Sequence, residues 1–119
     1  MVSYPKQQGR QRQTRHPQSI LHQKDGTCYI CMMRGDYQQH GYLEEHHIFP
    51  GNPGRRISEE HGLKVWLCAE HHRTGRAAVH NNAYLMRRLQ MEAQAAWERE
   101  HTRDEWMQLM GRNYRDDEG

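Results

Sequence analysis

Three cysteines and ten histidines are the residues of this chain best suited to binding a metal. Cys28 and Cys31 form a C-x2-C pair, and Cys68 and His71 form a C-x2-H pair later in the chain. Two such pairs, far apart in sequence, commonly supply the four ligands of a tetrahedral zinc site. An odd number of cysteines also argues against a disulfide framework. The spacing therefore predicts a structural Zn²⁺ held by these four residues, and three unrelated thiols are the alternative.

A second group of histidines lies close to the predicted zinc ligands. His46 and His47 are adjacent in a stretch that predicts a strand, so their side chains should point to opposite faces. His72 directly follows His71, and neighbours on a helix differ by about 100°, so His72 can face a different site. One strand imidazole and His72 would hold a divalent cation that polarises a phosphoryl group. The other strand histidine would be left as a base that accepts a proton near neutral pH.

The chain has the size of one domain but few residues with which to build a core. Leu, Ile, Val and Phe account for only 15 of its 119 residues, a low apolar content of the kind found in disordered chains. The net charge of +2 lacks the imbalance that accompanies disorder, and it excludes a simple basic nucleic-acid-binding tail. Structural zinc, which can contribute ~10 kcal/mol or more to folding, would offset the thin core. Neither a signal peptide nor a long apolar span is present, which predicts a soluble cytoplasmic protein.

The elements that position these residues are predicted from breakers and periodicity. Residues 1–19 are basic and polar and predict a flexible arm, either solvated or in contact with phosphates. A short helix is expected over residues 19–24, ended by a turn at Asp25 and Gly26. The zinc-binding pair at residues 28–31 follows this turn.

The middle of the chain predicts a hairpin followed by a helix. A strand is expected over residues 42–49, ended by Pro50 and Gly51, and a second over residues 63–67, where Leu63, Val65 and Leu67 alternate with other residues. Residues 51–56 are rich in glycine and include a proline, and they are expected to form a long loop between the strands. A helix should begin near Ala69, just after the second zinc-binding pair begins.

Residues 81–111 have the apolar periodicity of two helices. Asn81 or Asn82 is suited to cap the first helix. Thr102 and Glu105 have the spacing of a capping box at the start of the second helix, and Gly111 is suited to end it.

The order of these motifs resembles that of the HNH endonucleases, which belong to the His-Me finger group and have a ββα-metal fold. The resemblance covers about residues 24–82. It rests on Glu-His-His-Ile-Phe-Pro at residues 45–50, a glycine-rich loop, a strand, and Leu-Cys-Ala-Glu-His-His at residues 67–72. The whole chain also looks like small HNH proteins of phages and prophages. The resemblance implies an α+β fold with a zinc-containing ββα-metal core over residues 20–80, C-terminal helices over 81–111 packed on it, and a frayed tail over 112–119.

The resemblance also implies a role for each histidine. His46 would bind the catalytic metal, and His47 would be the general base. His71 replaces the second cysteine of the family motif, and His72 takes the place of its metal-binding histidine. A further family ligand would fall at Arg76, so His80 is the candidate third ligand. The catalytic ion would be Mg²⁺, Mn²⁺, Ni²⁺ or Zn²⁺.

One position departs from the family pattern. The family usually has an asparagine five residues before the motif cysteine, where it helps to orient the base, and this chain has Leu63 there. His61, Asn52 or a backbone carbonyl would then have to orient His47.

The predicted function is therefore a metal-dependent DNA endonuclease, phage-encoded and acting in the host cytoplasm. Contacts to the DNA backbone are expected from the N-terminal arm and from four arginines, namely Arg55, Arg56, Arg73 and Arg76. The alternative is a non-catalytic zinc module that binds nucleic acid or a phage or host protein, such as an inhibitor of a host factor. No membrane partner is expected, and the oligomeric state is left open.

Overall fold

The computed structural model of the protein describes residues 17–75 and 78–115 and has a small α+β fold. Most of the predicted arm, Arg76 and residues 116–119 of the predicted tail lie outside the described residues. Within the described part of the chain, no helix is long and apolar enough to span a membrane. In chain order the elements are α1 (Tyr29–Met33), β1 (Glu44–His47), α2 (Gly54–His61), β2 (Lys64–Leu67), a π-helical turn (Glu70–Thr74), a 3-10 turn (Val79–Asn81), α3 (Ala83–Trp97) and α4 (Arg103–Met110).

The predicted hairpin is confirmed, although its strands are shorter than expected. β1 and β2 pair antiparallel, with His46 opposite Val65 and His47 opposite Lys64. Because side chains alternate along a strand, His46 and Val65 face the core, whereas His47 and Lys64 lie on the other face. The two neighbouring histidines of β1 are therefore separated by the sheet.

The prediction of a loop over residues 51–56 is wrong for its second half, because α2 begins at Gly54. Ile57 and Ser58 are the buried residues of α2. The Ser58 hydroxyl accepts a hydrogen bond from the backbone N–H of Phe49 at 3.0 Å. These buried contacts hold a helix whose other face is polar, so the local density of Gly and Pro was a poor guide. Arg55 consequently lies on a helix and not on a loop.

The predicted helix over residues 19–24 is absent from the structure. The Ser19 hydroxyl accepts hydrogen bonds from the backbone N–H groups of Leu21 and His22, both at 3.0 Å, and forms a local turn. The Ile20 N–H donates to the Gly62 carbonyl, and the His22 ring accepts from the Trp66 N–H. The segment therefore lies against β2 because tertiary hydrogen bonds replace those of a helix.

The two C-terminal helices begin as predicted. The Asn82 side chain caps α3, and Thr102 forms a capping box with Glu105 at the start of α4. Gly111 ends α4 with a left-handed φ of 77°. The apolar sides of both helices belong to one buried cluster with residues of the hairpin and of α1. Its members include Ile30, Phe49, Val65, Leu67, Leu89, Trp97 and Trp106.

We expect Gly62→Ala to destabilise the protein more than Gly35→Ala. Both glycines have positive φ angles, 70° and 86°, so both substitutions share a left-handed strain of about 1–2 kcal/mol. A Cβ atom at Gly62 would also collide with the Gln18 carbonyl oxygen, whereas no described heavy atom lies within 4 Å of a Cβ atom at Gly35. Urea denaturation measures the difference. Equal losses in the free energy of unfolding would mean that residues 17–20 are not held tightly against α2.

Candidate functional site

Cys28, Cys31, Cys68 and His71 converge in one buried cluster. Cys28 caps α1, and Cys31 lies one turn further along that short helix. Cys68 follows β2, and His71 lies on the π-helical turn that comes next. The two pairs predicted from their spacing are therefore brought together by the hairpin and by α1.

The distances within this cluster fit a shared metal ion. The Nδ1 atom of His71 lies 3.6, 3.4 and 3.4 Å from the sulfurs of Cys28, Cys31 and Cys68. A single ring nitrogen can form only one good hydrogen bond, so three nearly equidistant sulfurs point to a common ion. Bond lengths of about 2.3 Å for Zn–S and about 2.0–2.1 Å for Zn–N place tetrahedral S and N ligands roughly 3.6 Å apart. The four donors thus fit a structural zinc.

The charge of the cluster depends on whether a cation is bound. Burial, followed by the neighbouring Cys28 thiol, raises the pKa of Cys31 to about 12. Without an ion, this thiol therefore stays protonated at neutral pH, and binding of a cation would displace its proton. Arg34 lies 3.3 Å from the outer nitrogen of His71, where its charge would balance a zinc centre with three thiolates.

A second cluster contains the imidazoles of His46, His72 and His80. They come from β1, the π-helical turn and the 3-10 turn respectively. Their ring centres are 5.2, 5.2 and 4.8 Å apart. Imidazoles bound to one ion at 90–109° have centres about 4.5–5.2 Å apart, given metal–nitrogen bonds of about 2.0–2.1 Å. The arrangement suits three ligands of a single ion.

His46 has the least solvent contact in this cluster, and one of its ring nitrogens lacks a hydrogen-bond partner among the described residues. Its side chain is buried, and Nε2 is the single buried side-chain nitrogen or oxygen of the described residues without a hydrogen-bond partner. Burial, followed by repulsion from His72 and His80, lowers the pKa of His46 to about 3. The ring is therefore neutral at physiological pH. A buried polar atom left without a partner is costly, and a bound ion would remove that cost.

Glu44 orients His72, and the sequence analysis did not identify it. One Glu44 oxygen lies 2.6 Å from Nδ1 of His72, which leaves Nε2 for an ion in the arrangement common to metal-binding histidines. The Arg73 guanidinium, and then His72, lower the pKa of Glu44 to about 2. Arg73, predicted to contact DNA, is thus paired with a carboxylate in this structure. Strand alternation could have identified Glu44, since Glu44 and His46 share one face of β1.

His47 lies on the opposite face of β1, where Glu59 of α2 binds it. Nε2 of His47 is 2.7 Å from a Glu59 oxygen. His61, which was one candidate for orienting His47, packs against the Trp97 ring. Glu59 was missed because the sequence analysis did not extend a helix through its position.

An open cleft of about 650 Å³ lies beside His47. Its lining includes Asn52, Arg55 and Arg56, and both arginines are exposed. Arg56 forms an exposed ion pair with Glu60 at 3.3 Å, which is weak enough to exchange for another anion. The cleft therefore combines an imidazole and two exposed guanidinium groups with three carboxylates, those of Glu45, Glu59 and Glu60.

Comparison with protein-family models, curated proteins and solved structures finds no match to this chain. The interpretation of the site accordingly rests on the positions of its side chains. All the predicted metal ligands fall into the two clusters, with Cys28, Cys31, Cys68 and His71 in one and His46, His72 and His80 in the other.

We expect His71→Ala to lose zinc and His40→Ala to keep it. His71 is close to all three sulfurs, whereas His40 approaches Cys31 alone, at 3.8 Å. Loss of the zinc would remove ~10 kcal/mol of binding free energy, which is comparable to the whole stability of a small domain. Elemental analysis and far-UV circular dichroism measure the two effects. Zinc retained by His71→Ala, or lost by His40→Ala, would show that the fourth ligand is misassigned.

Proposed function

We propose that this protein is a metal-dependent DNA endonuclease with an HNH-type ββα-metal core. The observation that carries the proposal is the arrangement of consecutive residues in β1. His46 belongs to a cluster suited to an ion, and His47, on the other face, is bound by a carboxylate. Phosphodiester hydrolysis can use a cation and a base that act on the same phosphate, and consecutive residues of β1 supply a candidate for each.

The order of the elements also supports the proposal. β1, β2 and the π-helical turn come in the order strand, strand and helical segment, with α2 in the connection between the two strands, and a ββα-metal core has the same order of strands and helix. His71 and His72 are neighbours on this turn, yet each belongs to a different cluster. Such a division is expected when one ion holds the scaffold and another takes part in the reaction.

His46, His72 and His80 would hold the catalytic ion. When bound, the ion would supply Lewis-acid polarisation of the phosphoryl group and charge stabilisation for the departing oxygen. Three protein ligands leave coordination positions for substrate and water. Imidazole donors favour Zn²⁺ or Ni²⁺ over Mg²⁺ by ligand type.

His47 would take the proton from the attacking water. Because Nε2 is occupied by Glu59, Nδ1 is the ring atom that accepts this proton. The water oxygen then forms a bond to phosphorus, and the bond from phosphorus to the 3′ oxygen breaks. A general base of this kind typically contributes about 10²–10⁴-fold to the rate.

Arg55 and Arg56 would bind backbone phosphates in the cleft next to His47. A guanidinium group suits this role because its donors match the geometry of a phosphate. Contacts of this kind carry no base information and weaken with salt. Arg73 would contribute only by exchanging its Glu44 partner, and the proposed contacts from Arg76 and the N-terminal arm lie outside the described residues. We therefore expect weak sequence preference.

We expect His47→Ala to reduce cleavage by about 10²–10⁴-fold, the usual loss when a general base is removed. Supercoiled plasmid incubated with Mn²⁺, Ni²⁺ or Mg²⁺ gives the rate of nicking, with EDTA as the blank. His61→Ala is the matched control, because His61 lies at the end of α2 and outside both metal clusters.

If His47→Ala cleaves DNA at the wild-type rate, the assignment of His47 as the general base is wrong. If the wild-type chain cuts neither plasmid nor single-stranded DNA with any of these ions, the endonuclease proposal fails. The non-catalytic zinc module would then be the better interpretation.

We expect Glu44→Ala to weaken binding of Ni²⁺ at the second cluster by about 10–100-fold, the usual effect of losing a carboxylate behind a metal-binding histidine. The tightly held zinc should remain. Glu45→Ala is the matched control, because Glu45 lies on the other face of β1 and contacts Lys64 at 2.8 Å. Calorimetric titration of the zinc-loaded protein measures both affinities. Equal Ni²⁺ affinities in the two variants would contradict the assignment of Glu44 to His72.

A further inference from the structure

We propose that Glu59 is the positioning residue for His47, so that a side-chain carboxylate on α2 sets the orientation and the tautomer of the base. The inference rests on the proposed endonuclease function for its kinetic consequence. Its structural content, the protonation of one named ring nitrogen, can be tested without any activity.

The contact between the two side chains decides which nitrogen is available. Nε2 of His47 lies 2.7 Å from Oε1 of Glu59, and an ionised carboxylate can only accept. Nε2 must therefore carry a proton, so in the neutral ring Nδ1 keeps its lone pair. A carboxylate that holds an imidazole in one tautomer in this way is a general device of base catalysis.

Lys64 contacts this carboxylate and holds it in place. Its side chain is only 2% exposed, and Nζ lies 3.4 Å from each Glu59 oxygen and 2.8 Å from a Glu45 oxygen. A buried ammonium group is stable only with such partners. Since Lys64 also pairs directly opposite His47 in the sheet, the cation, the carboxylate and the imidazole form one connected unit.

In this unit, the Lys64 ammonium group supplies the positive charge that a metal ion would supply in a metal site. Glu45, His47 and Glu59 each place a ligand atom within 4.8 Å of the others. The Lys64 ammonium already contacts both carboxylates and balances part of their charge. We therefore assign this cluster to positioning of the base rather than to binding an ion.

α2 holds Glu59 at a fixed distance from the end of β1. The residue before it, Ser58, is buried, and its hydroxyl accepts from the Phe49 N–H at 3.0 Å and donates to the Phe49 carbonyl at 3.3 Å. Phe49 is only two residues after His47. The helix that carries the carboxylate and the strand that carries the imidazole are therefore tied together next to the contact itself.

The kinetic test compares Glu59→Ala with Glu59→Gln. Loss of the acceptor should lower kcat for plasmid nicking by about 10–100-fold, by analogy with the loss of a carboxylate that orients a metal-bound histidine, with KM within about twofold. The glutamine carbonyl can still accept from Nε2, so Glu59→Gln should restore most of kcat. Glu100→Ala, which removes an exposed carboxylate elsewhere, should match the wild type. Unchanged kcat in Glu59→Ala, or equal losses in Glu59→Ala and Glu59→Gln, would overturn the proposal.

The second test reads the tautomer directly by NMR of protein labelled with ¹⁵N-histidine. At a pH where the ring is neutral, His47 should carry its proton on Nε2 in the wild type and in Glu59→Gln. It should be a mixture of tautomers in Glu59→Ala. If the wild type shows this signature but cuts no DNA, the endonuclease proposal fails and the positioning role stands. If DNA is cut but the tautomer is the same in all variants, the positioning role fails alone.

Discussion

The convergence of three buried sulfurs on one nitrogen of His71 is the constraint on which the rest of the structure depends. This chain has too few large apolar residues to fix several short elements by burial alone. An ion shared by Cys28, Cys31, Cys68 and His71 would join α1, the end of β2 and the π-helical turn at one point. Because His72 follows His71 directly, the scaffold ion would also determine where the second cluster lies.

A carboxylate contacts an imidazole on each side of β1. On the core side, Glu44 binds Nδ1 of His72, whose ring lies beside that of His46. On the outer side, Glu59 binds the ring of His47 and leaves its other nitrogen available. In both places a carboxylate contacts one nitrogen of an imidazole. Each carboxylate is itself held by a basic side chain, Arg73 for Glu44 and Lys64 for Glu59.

The sequence-based predictions succeeded where the structure of a short stretch is set by residues within that stretch. The C-x2-C and C-x2-H spacings, the alternation around residues 63–67 and the Thr102 capping box each depend on residues a few positions apart. Predictions failed where distant contacts outweigh local preference. Residues 19–24 are held by hydrogen bonds to Gly62 and Trp66, and α2 forms over buried Ile57 and Ser58 just after a run of helix breakers.

The amino-acid sequence by itself indicated the hairpin, the C-terminal helices, the candidate ligand types and the separation of His46 from His47, because these follow from spacing, periodicity and strand alternation. The tertiary structure decided that His80 joins His46 and His72, and which carboxylate serves each imidazole. Glu44 meets His72 across 28 positions, and Glu59 meets His47 across 12. Contacts over such separations depend on how the elements pack, and local periodicity carries no information about that packing.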